Sequence, residues 1–294
     1  MFTVSLLTDP ARPVLDREIV SALRNAWGGG DAVWLDPGVA AEFGVQAVPA
    51  NRWEVWADLQ SRRIDLVVQA TAGRRKAVLL ADMDSTMIRQ ECIDELADEA
   101  GVGPQVAAIT KLAMNGDLDF DGALRARVSL LKGLPEAVIA GVLRDRITYT
   151  PGGAVLVATM KAQGGYAALV SGGFTAFTGP VAQALGFDEN RANVLGIAGG
   201  VLDGTVAEPI LGRAAKVVAL EQICATLGVG EDQVMAVGDG ANDLGMLGRA
   251  GAGVALHAKP VVAAECAIRI NHGDLTALLF LQGYRREEFM NDRS

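Results

Sequence analysis

Cysteine, histidine, positive charge and long apolar runs are all scarce in this 294-residue chain. Its three cysteines, Cys92, Cys224 and Cys266, are odd in number and widely spaced, with no C-x-x-C, which argues against a disulfide framework and a cysteine zinc site. A reducing, cytoplasmic setting is expected. The two histidines, His257 and His272, stand outside any H-E-x-x-H pattern, so hydrolytic chemistry must lean on carboxylates. No stretch of ~18 uncharged apolar residues occurs. Residues 1–10 carry no cationic segment ahead of an apolar one. Neither a membrane span nor a signal peptide is expected. Lysine and arginine number 26 against 35 acids, a net charge of -9. Without a basic stripe to neutralise phosphates, nucleic acid is demoted as a partner.

Half of the residues are apolar and 21% charged, enough for a sizeable core, and the length allows two domains. Residues 1–72 read as β-α-β-β-α-β, with strands at 2–8, 32–35, 43–47 and 64–69 and helices at 15–27 and 52–61. That order is a ferredoxin-like signature, although residues 39–43 also fit a helix. Arg74-Arg75-Lys76 reads as a solvated connector. Beyond it, apolar strands at 78–81, 166–170, 234–237, 253–256 and 267–270, with helices between, describe an open parallel α/β sheet. Such sheets carry their sites at the carboxyl ends of strands. Residues 91–146 form an all-helical insertion with helices near 92–100, 105–114, 120–132 and 136–144. Thr150-Pro151 opens a further helix that ends near Gly164. Domains are therefore expected at 1–72, at 73–90 with 147–294, and at 91–146.

The chemistry collects in four places. Asp82 and Asp84, in D-M-D-S-T, emerge on the same side of an extended strand end. Their mutual repulsion is resolved by a hard divalent cation, and Mg²⁺ is the usual choice in phosphate chemistry. Asp239 and Asp243, in G-D-G-A-N-D, form a second acidic loop after another apolar strand. Ser171-Gly172-Gly173 offers a hydroxyl and backbone N–H groups to an anion. Lys216 opens a helix, where its charge opposes the dipole unless it meets an anionic ligand. Each feature alone has an ordinary reading as a solvated turn or surface lysine. Two acidic loops at two strand ends point to a metal site. On the helix near 120–132, Phe120, Leu124, Arg127 and Leu131 share one face at about 100° per residue, while Arg125 points away. Arg127 is therefore either a snorkelling arginine or a carboxylate clamp. Val201 to Val206 reads as a hairpin turning at Asp203-Gly204.

In order and spacing, D-x-D-S-T, the strand ending in S-G-G, the helix-opening lysine and G-D-G-A-N-D resemble the haloacid dehalogenase-like phosphatases. Glu91 and the segment Leu124 to Lys132 are similar to the phosphoserine phosphatase family within them. The resemblance covers about residues 72–284. It implies a Rossmann-like core with a small helical cap and Mg²⁺ as cofactor. Asp82 would be the nucleophile and Asp84 the general acid and base, with metal held by Asp82, the Asp84 carbonyl and Asp239, supported by Asp243. Ser171, Gly172, Lys216 and Asn242 would hold the phosphoryl group, Glu91 and Arg127 the two ends of phosphoserine, and Met114 and Phe120 would be apolar lid residues. The implied activity is hydrolysis of phosphoserine in the last step of serine synthesis. A phosphotransferase or broader phosphomonoesterase uses the same intermediate. The N-terminal unit resembles amino-acid-binding (ACT-type) domains, so a sensor of amino acids is the reading from another class. All four tryptophans lie there, as core or interface residues, which leaves a homodimer open.

Overall fold

The computed structural model describes residues 1–114 and 117–290, apart from the Met114 side chain; the lid role expected of Met114 thus lies outside the described residues. The first unit comprises β1 (Phe2–Leu7), α1 (Arg17–Ala26), β2 (Val33–Asp36), β3 (Ala40–Val45), α2 (Arg52–Gln60) and β4 (Asp65–Ala70). Its antiparallel sheet has the order β2-β3-β1-β4, the ferredoxin-like arrangement. Residues 40–45 are strand, not helix. Their pairing with β1 decides this, because it buries Ala41, Phe43 and Val45 against Val4, Leu6 and Leu66. Helix α1 starts two residues later than expected because Asp16 caps it, its carboxylate accepting from Ile19 N at 2.8 Å.

A second, six-stranded sheet is wholly parallel, in the order β12-β11-β10-β5-β6-β7. Its strands are β5 (Val78–Ala81), β6 (Tyr166–Phe174), β7 (Glu189–Asn193), β10 (Val234–Gly238), β11 (Ala252–Leu256) and β12 (Ile268–Ile270). All four residues of β5 are buried, Val78, Leu79 and Leu80 contributing about 1.5–3 kcal/mol each. Between β5 and β6 lie α3 (Cys92–Glu99), α4 (Gly103–Met114), α5 (Phe120–Leu130), α6 (Ala137–Asp145) and α7 (Gly153–Ala162). The last begins after Thr150-Pro151 and Gly152, whose φ of 81° turns the chain first. The remaining helices are α8 (Thr175–Leu185), α9 (Arg213–Leu227), α10 (Leu244–Arg249), α11 (Pro260–Glu265) and α12 (Ala277–Leu281). Among the described residues, no helix is long and apolar enough to cross a membrane.

The expected turn at Asp203-Gly204 is overturned. The hairpin pairs β8 (Leu195–Ala198) with β9 (Val201–Val206) and turns at Gly199-Gly200. Both glycines have positive φ, 61° and 79°, as a two-residue hairpin turn requires, whereas Asp203 and Gly204 lie within the strand. This hairpin is bonded to the helical insertion: Gly133 N donates to Leu202 O at 2.8 Å and Glu136 N to Gly200 O at 2.9 Å. The insertion joins the sheet through a two-stranded neck, where Ile88 bridges Tyr149 and Arg89 N donates to Thr148 O at 3.0 Å. The hairpin closes at a neck of its own, where Ala207 N donates to Val194 O at 2.9 Å.

Asp65 fastens the first unit to the second. Fully buried, it accepts from the backbone N–H groups of Asn271, His272 and Gly273 at 2.9, 3.0 and 2.8 Å. Nearby, Arg269 stacks 4.1 Å over Trp53, so this tryptophan meets the larger sheet within one chain. Asp65→Ala strands three backbone donors, that of Gly273 fully buried, and is expected to cost about 3 kcal/mol in urea unfolding. A loss near zero would show that this clasp does not hold the units together.

Candidate active site

Three neighbouring strands of the larger sheet end together. Asp82 follows β5, Ser171 to Gly173 close β6, and Asp239 follows β10. After Asp82 the backbone makes one wide turn over Met83–Met87, in which Ser85 takes a left-handed φ of 54°. Asp82 accepts from Met83 N at 2.8 Å, while Asp84 accepts from Cys92 N at 3.1 Å. The S-G-G segment is strand, and α8 begins only at Thr175; Ser171 Oγ accepts from Gly173 N at 2.9 Å.

Lys216 lies in the first turn of α9, which begins three residues earlier than expected, and is fully buried. Its ammonium lies 2.7 Å from Asp82 Oδ1 and 2.6 Å from Asp243 Oδ1. The anions it meets are therefore two of the chain's own carboxylates. Burial opposes its charge, but Asp243 and Asp82 outweigh that and hold the ammonium above its usual range. The other oxygen of Asp243 accepts from Asp239 N at 3.2 Å and Gly240 N at 2.9 Å, so this side chain is spent on fixing its loop.

Asp82, Asp239 and Asp243 bring one carboxylate oxygen each within 4.8 Å of one another. One ammonium cannot neutralise three buried carboxylates. Burial, then the Asp243 charge, pushes Asp82 well above the usual carboxylate range and Asp239 up to about 6. A hard divalent cation held by the Asp82 and Asp239 oxygens would relieve both effects, so these donors fit one, with Asp243 beside them held by Lys216 and its own loop. The Asp84 carboxylate is not part of this trio. It is pushed up to about 7 by burial, then by Glu91.

A cavity of about 390 Å³ opens above the trio, lined by Asp82, Asp84, Glu91, Arg127, Ser171 and Asn242 among others. Gly172 and Asp239 also line it, so it gathers every expected site residue except Lys216 and Asp243, which lie beneath. Arg127 is half-buried; its Nε donates to Ala123 O at 3.2 Å, and no carboxylate pairs with it among the described residues. Arg125 turns outward to Glu208 at 2.7 Å. The Phe120 ring lies between two glycines: a Cβ on Gly172 would stand 3.1 Å from it, and one on Gly212 2.9 Å. A side chain at Gly212 would force the ring to shift, and one at Gly172 would press against it.

Several contributors escaped the sequence reading. Asn193, 2% exposed, donates to Gly172 O at 2.9 Å and accepts from Leu211 N at 2.6 Å, tying the S-G-G segment to the approach to α9. Ser85 Oγ donates to Glu91 Oε1 at 2.7 Å. Thr86 Oγ1 donates to Asp239 Oδ1 at 3.4 Å. Arg213 and Lys259 line the cavity. Only Ser85 and Thr86 lay inside a motif already singled out.

The sequence matches the haloacid dehalogenase-like hydrolase family over residues 79–248. It is 41% identical over 256 residues to a phosphoserine phosphatase of Streptomyces coelicolor, covering 86% of this chain and 62% of that one. It is 47% identical over 205 residues to a phosphoserine phosphatase of Albidiferax ferrireducens, covering 68% and 86%. The chain thus spans less than two thirds of the first relative's length. Among solved structures, a haloacid-dehalogenase-family hydrolase from Salmonella enterica serovar Typhi superposes with a TM-score of 0.85 at 31% identity, over 96% of this chain and 98% of that one. Motifs, fold and relatives agree, and the chain belongs to the haloacid dehalogenase-like hydrolase family, in its phosphoserine phosphatase branch.

Proposed function

We propose that this protein is a Mg²⁺-dependent phosphoserine phosphatase that works through an aspartyl-phosphate. The observation that carries the substrate is the Arg127 guanidinium, without a paired carboxylate among the described residues, sharing one cavity with Glu91 and the two aspartates. A zwitterionic head fits that pair, its carboxylate on Arg127 and its ammonium on Glu91.

Lys216 Nζ and Met83 N both bond Asp82 Oδ1, which leaves Oδ2 as the attacking oxygen. As that oxygen bonds phosphorus, the ester P–O bond breaks and Asp84 delivers its proton to the serine oxygen. Its raised pKa, from burial and Glu91, keeps that proton available near neutrality. A water then attacks phosphorus, Asp84 takes the water's proton, and the bond to Asp82 breaks to release phosphate. Ser171, Gly172 and Asn242 surround the phosphoryl oxygens, with Lys216 beneath. Mg²⁺, held by Asp82, Asp239 and the Asp84 carbonyl and steadied by Asp243, would neutralise charge that builds on the phosphoryl oxygens. Three separate buried cysteines are consistent with a cytoplasmic setting.

The test compares phosphate release from phosphoserine and from p-nitrophenyl phosphate, with Mg²⁺ and after chelation. Chelation should silence both. Arg127→Ala should raise KM for phosphoserine by about 10²-fold, the loss of one charge-assisted pair, while leaving the aryl ester nearly unchanged. Equal effects on both substrates would remove the carboxylate clamp. Activity that survives chelation would remove the metal.

A further inference from the structure

Asp84, which gives and takes the proton in the proposed reaction, is held from two sides by residues that the reaction does not itself use. On one side α3 opens at Cys92, and the side chain of its cap residue, Glu91, makes no bond to the helix. The Asp84 carboxyl fills that place, its Oδ1 accepting from Cys92 N at 3.1 Å. Cys92 is fully buried, and its thiol is a second hydrogen-bond donor to the same carboxyl. Burial, then the Asp84 charge, pushes the thiol up, so it keeps the proton that it donates.

On the other side stands Gly173. A Cβ there would fall 2.6 Å from Asp84 Oδ2 and 3.1 Å from Ser171 Oγ. Oδ2 therefore rests over bare backbone, beside the hydroxyl of Ser171, and Asp84, Ser171 and Gly173 all line the cavity. The two oxygens are thus not equivalent: Oδ1 is tied to α3, while Oδ2 lies on the side of the S-G-G segment. A carboxyl serves as an acid only from the oxygen that reaches the leaving group, so an anchor on the opposite oxygen has a chemical consequence. Cys92 also packs among apolar neighbours, the ordinary place of a buried cysteine, and its role must be separated from that packing.

We propose that Cys92 is a positioning residue for Asp84: its thiol and backbone N–H anchor the carboxyl, the bare Gly173 leaves room for Oδ2, and Oδ2 is the oxygen that carries the proton. As the ester P–O bond breaks, the Oδ2–H bond breaks with it and the proton joins the serine oxygen. The electron pair left on Asp84 is shared with the Cys92 donors. Water then bonds phosphorus and returns a proton to Oδ2. What the proton does rests on the phosphatase reading; the anchoring rests on the geometry alone.

The test is the ratio of kcat/KM for phosphoserine to that for p-nitrophenyl phosphate, whose leaving group departs without a proton. Cys92→Val keeps the volume and loses the side-chain donor, and should lower this ratio about tenfold. Cys92→Ser keeps a donor in apolar surroundings, and should restore the ratio to within about twofold even where it unfolds at lower urea. A purely packing role predicts the reverse order. Gly173→Ala should lower the ratio as well, which decides the matter if Cys92→Val does not fold. A further measurement needs no turnover: the infrared S–H band of Cys92, identified by its loss in Cys92→Ser, should move to higher wavenumber in Asp84→Ala, where its acceptor is gone. A ratio preserved in Cys92→Val or Gly173→Ala, a ratio not restored in Cys92→Ser, or a band indifferent to Asp84→Ala would overturn the proposal. A band that moves in a protein releasing phosphate from neither ester would overturn the catalytic reading alone.

Discussion

Asp82→Asn should lower phosphate release by more than about 10⁴-fold, because an amide does not form the acyl phosphate. The same substitution should leave the chelated protein at least as stable as wild type. Burial, followed by the Asp243 charge, raises the Asp82 pKa in the fold. A carboxyl raised in this way stabilises the fold below its unfolded pKa, and that contribution is lost as pH rises through the folded value. Asparagine stays neutral throughout and still accepts from Met83 N and Lys216. Melting at pH 8 in chelator should therefore occur at or above the wild-type temperature. A marked fall in melting temperature would show that Asp82 is held for the fold, and retained turnover would end its role as nucleophile.

Lys216→Met should be the most damaging change to stability. The side chain is fully buried between Asp82 and Asp243, and without it two carboxylates face each other with no cation. Breaking a buried pair by removing one partner costs about 3–5 kcal/mol. Urea unfolding in chelator at neutral pH should show that loss. It should shrink at pH 5, where the raised Asp82 and Asp239 carboxyls take up protons, and it should shrink again when Mg²⁺ is added at neutral pH. A loss below about 1 kcal/mol, typical of exposed pairs, would contradict the arrangement.

The strand ends that carry the candidate site were legible in the sequence because their signals are local. A wholly apolar run ending in D-M-D-S-T states both the burial of β5 and the chemistry that follows it. Strand β7 was not legible. Its sequence, E-N-R-A-N, has no apolar alternation because it lies at an edge of the sheet and pairs only with β6. Asn193, at its end, owes its role to Gly172 and Leu211, both about twenty residues away, and nothing in its neighbours announces that. The hairpin was misplaced because Asp-Gly is a strong turn signal, yet Gly199-Gly200 meets the same backbone demand nearby. Asp65 read as an ordinary strand residue; its three partners lie more than two hundred residues downstream. Lys216 was read toward an anion, but only the fold shows that the anions are Asp82 and Asp243.

The two necks also govern how the helical insertion can move. Tied to the sheet once at Ile88 and Tyr149 and again, through the hairpin, at Val194 and Ala207, it is suspended like a door on a pair of hinges. A body held at two separated points turns about the line that joins them, so a movement of the insertion that exposes the cavity is expected to be a swing with one degree of freedom. Glu91, beside the first hinge, travels little in that swing, and Gly199-Gly200 at the tip of the hairpin rides with the door. Substitutions at these necks, far from the cavity, are therefore expected to change the rate at which substrate enters and product leaves.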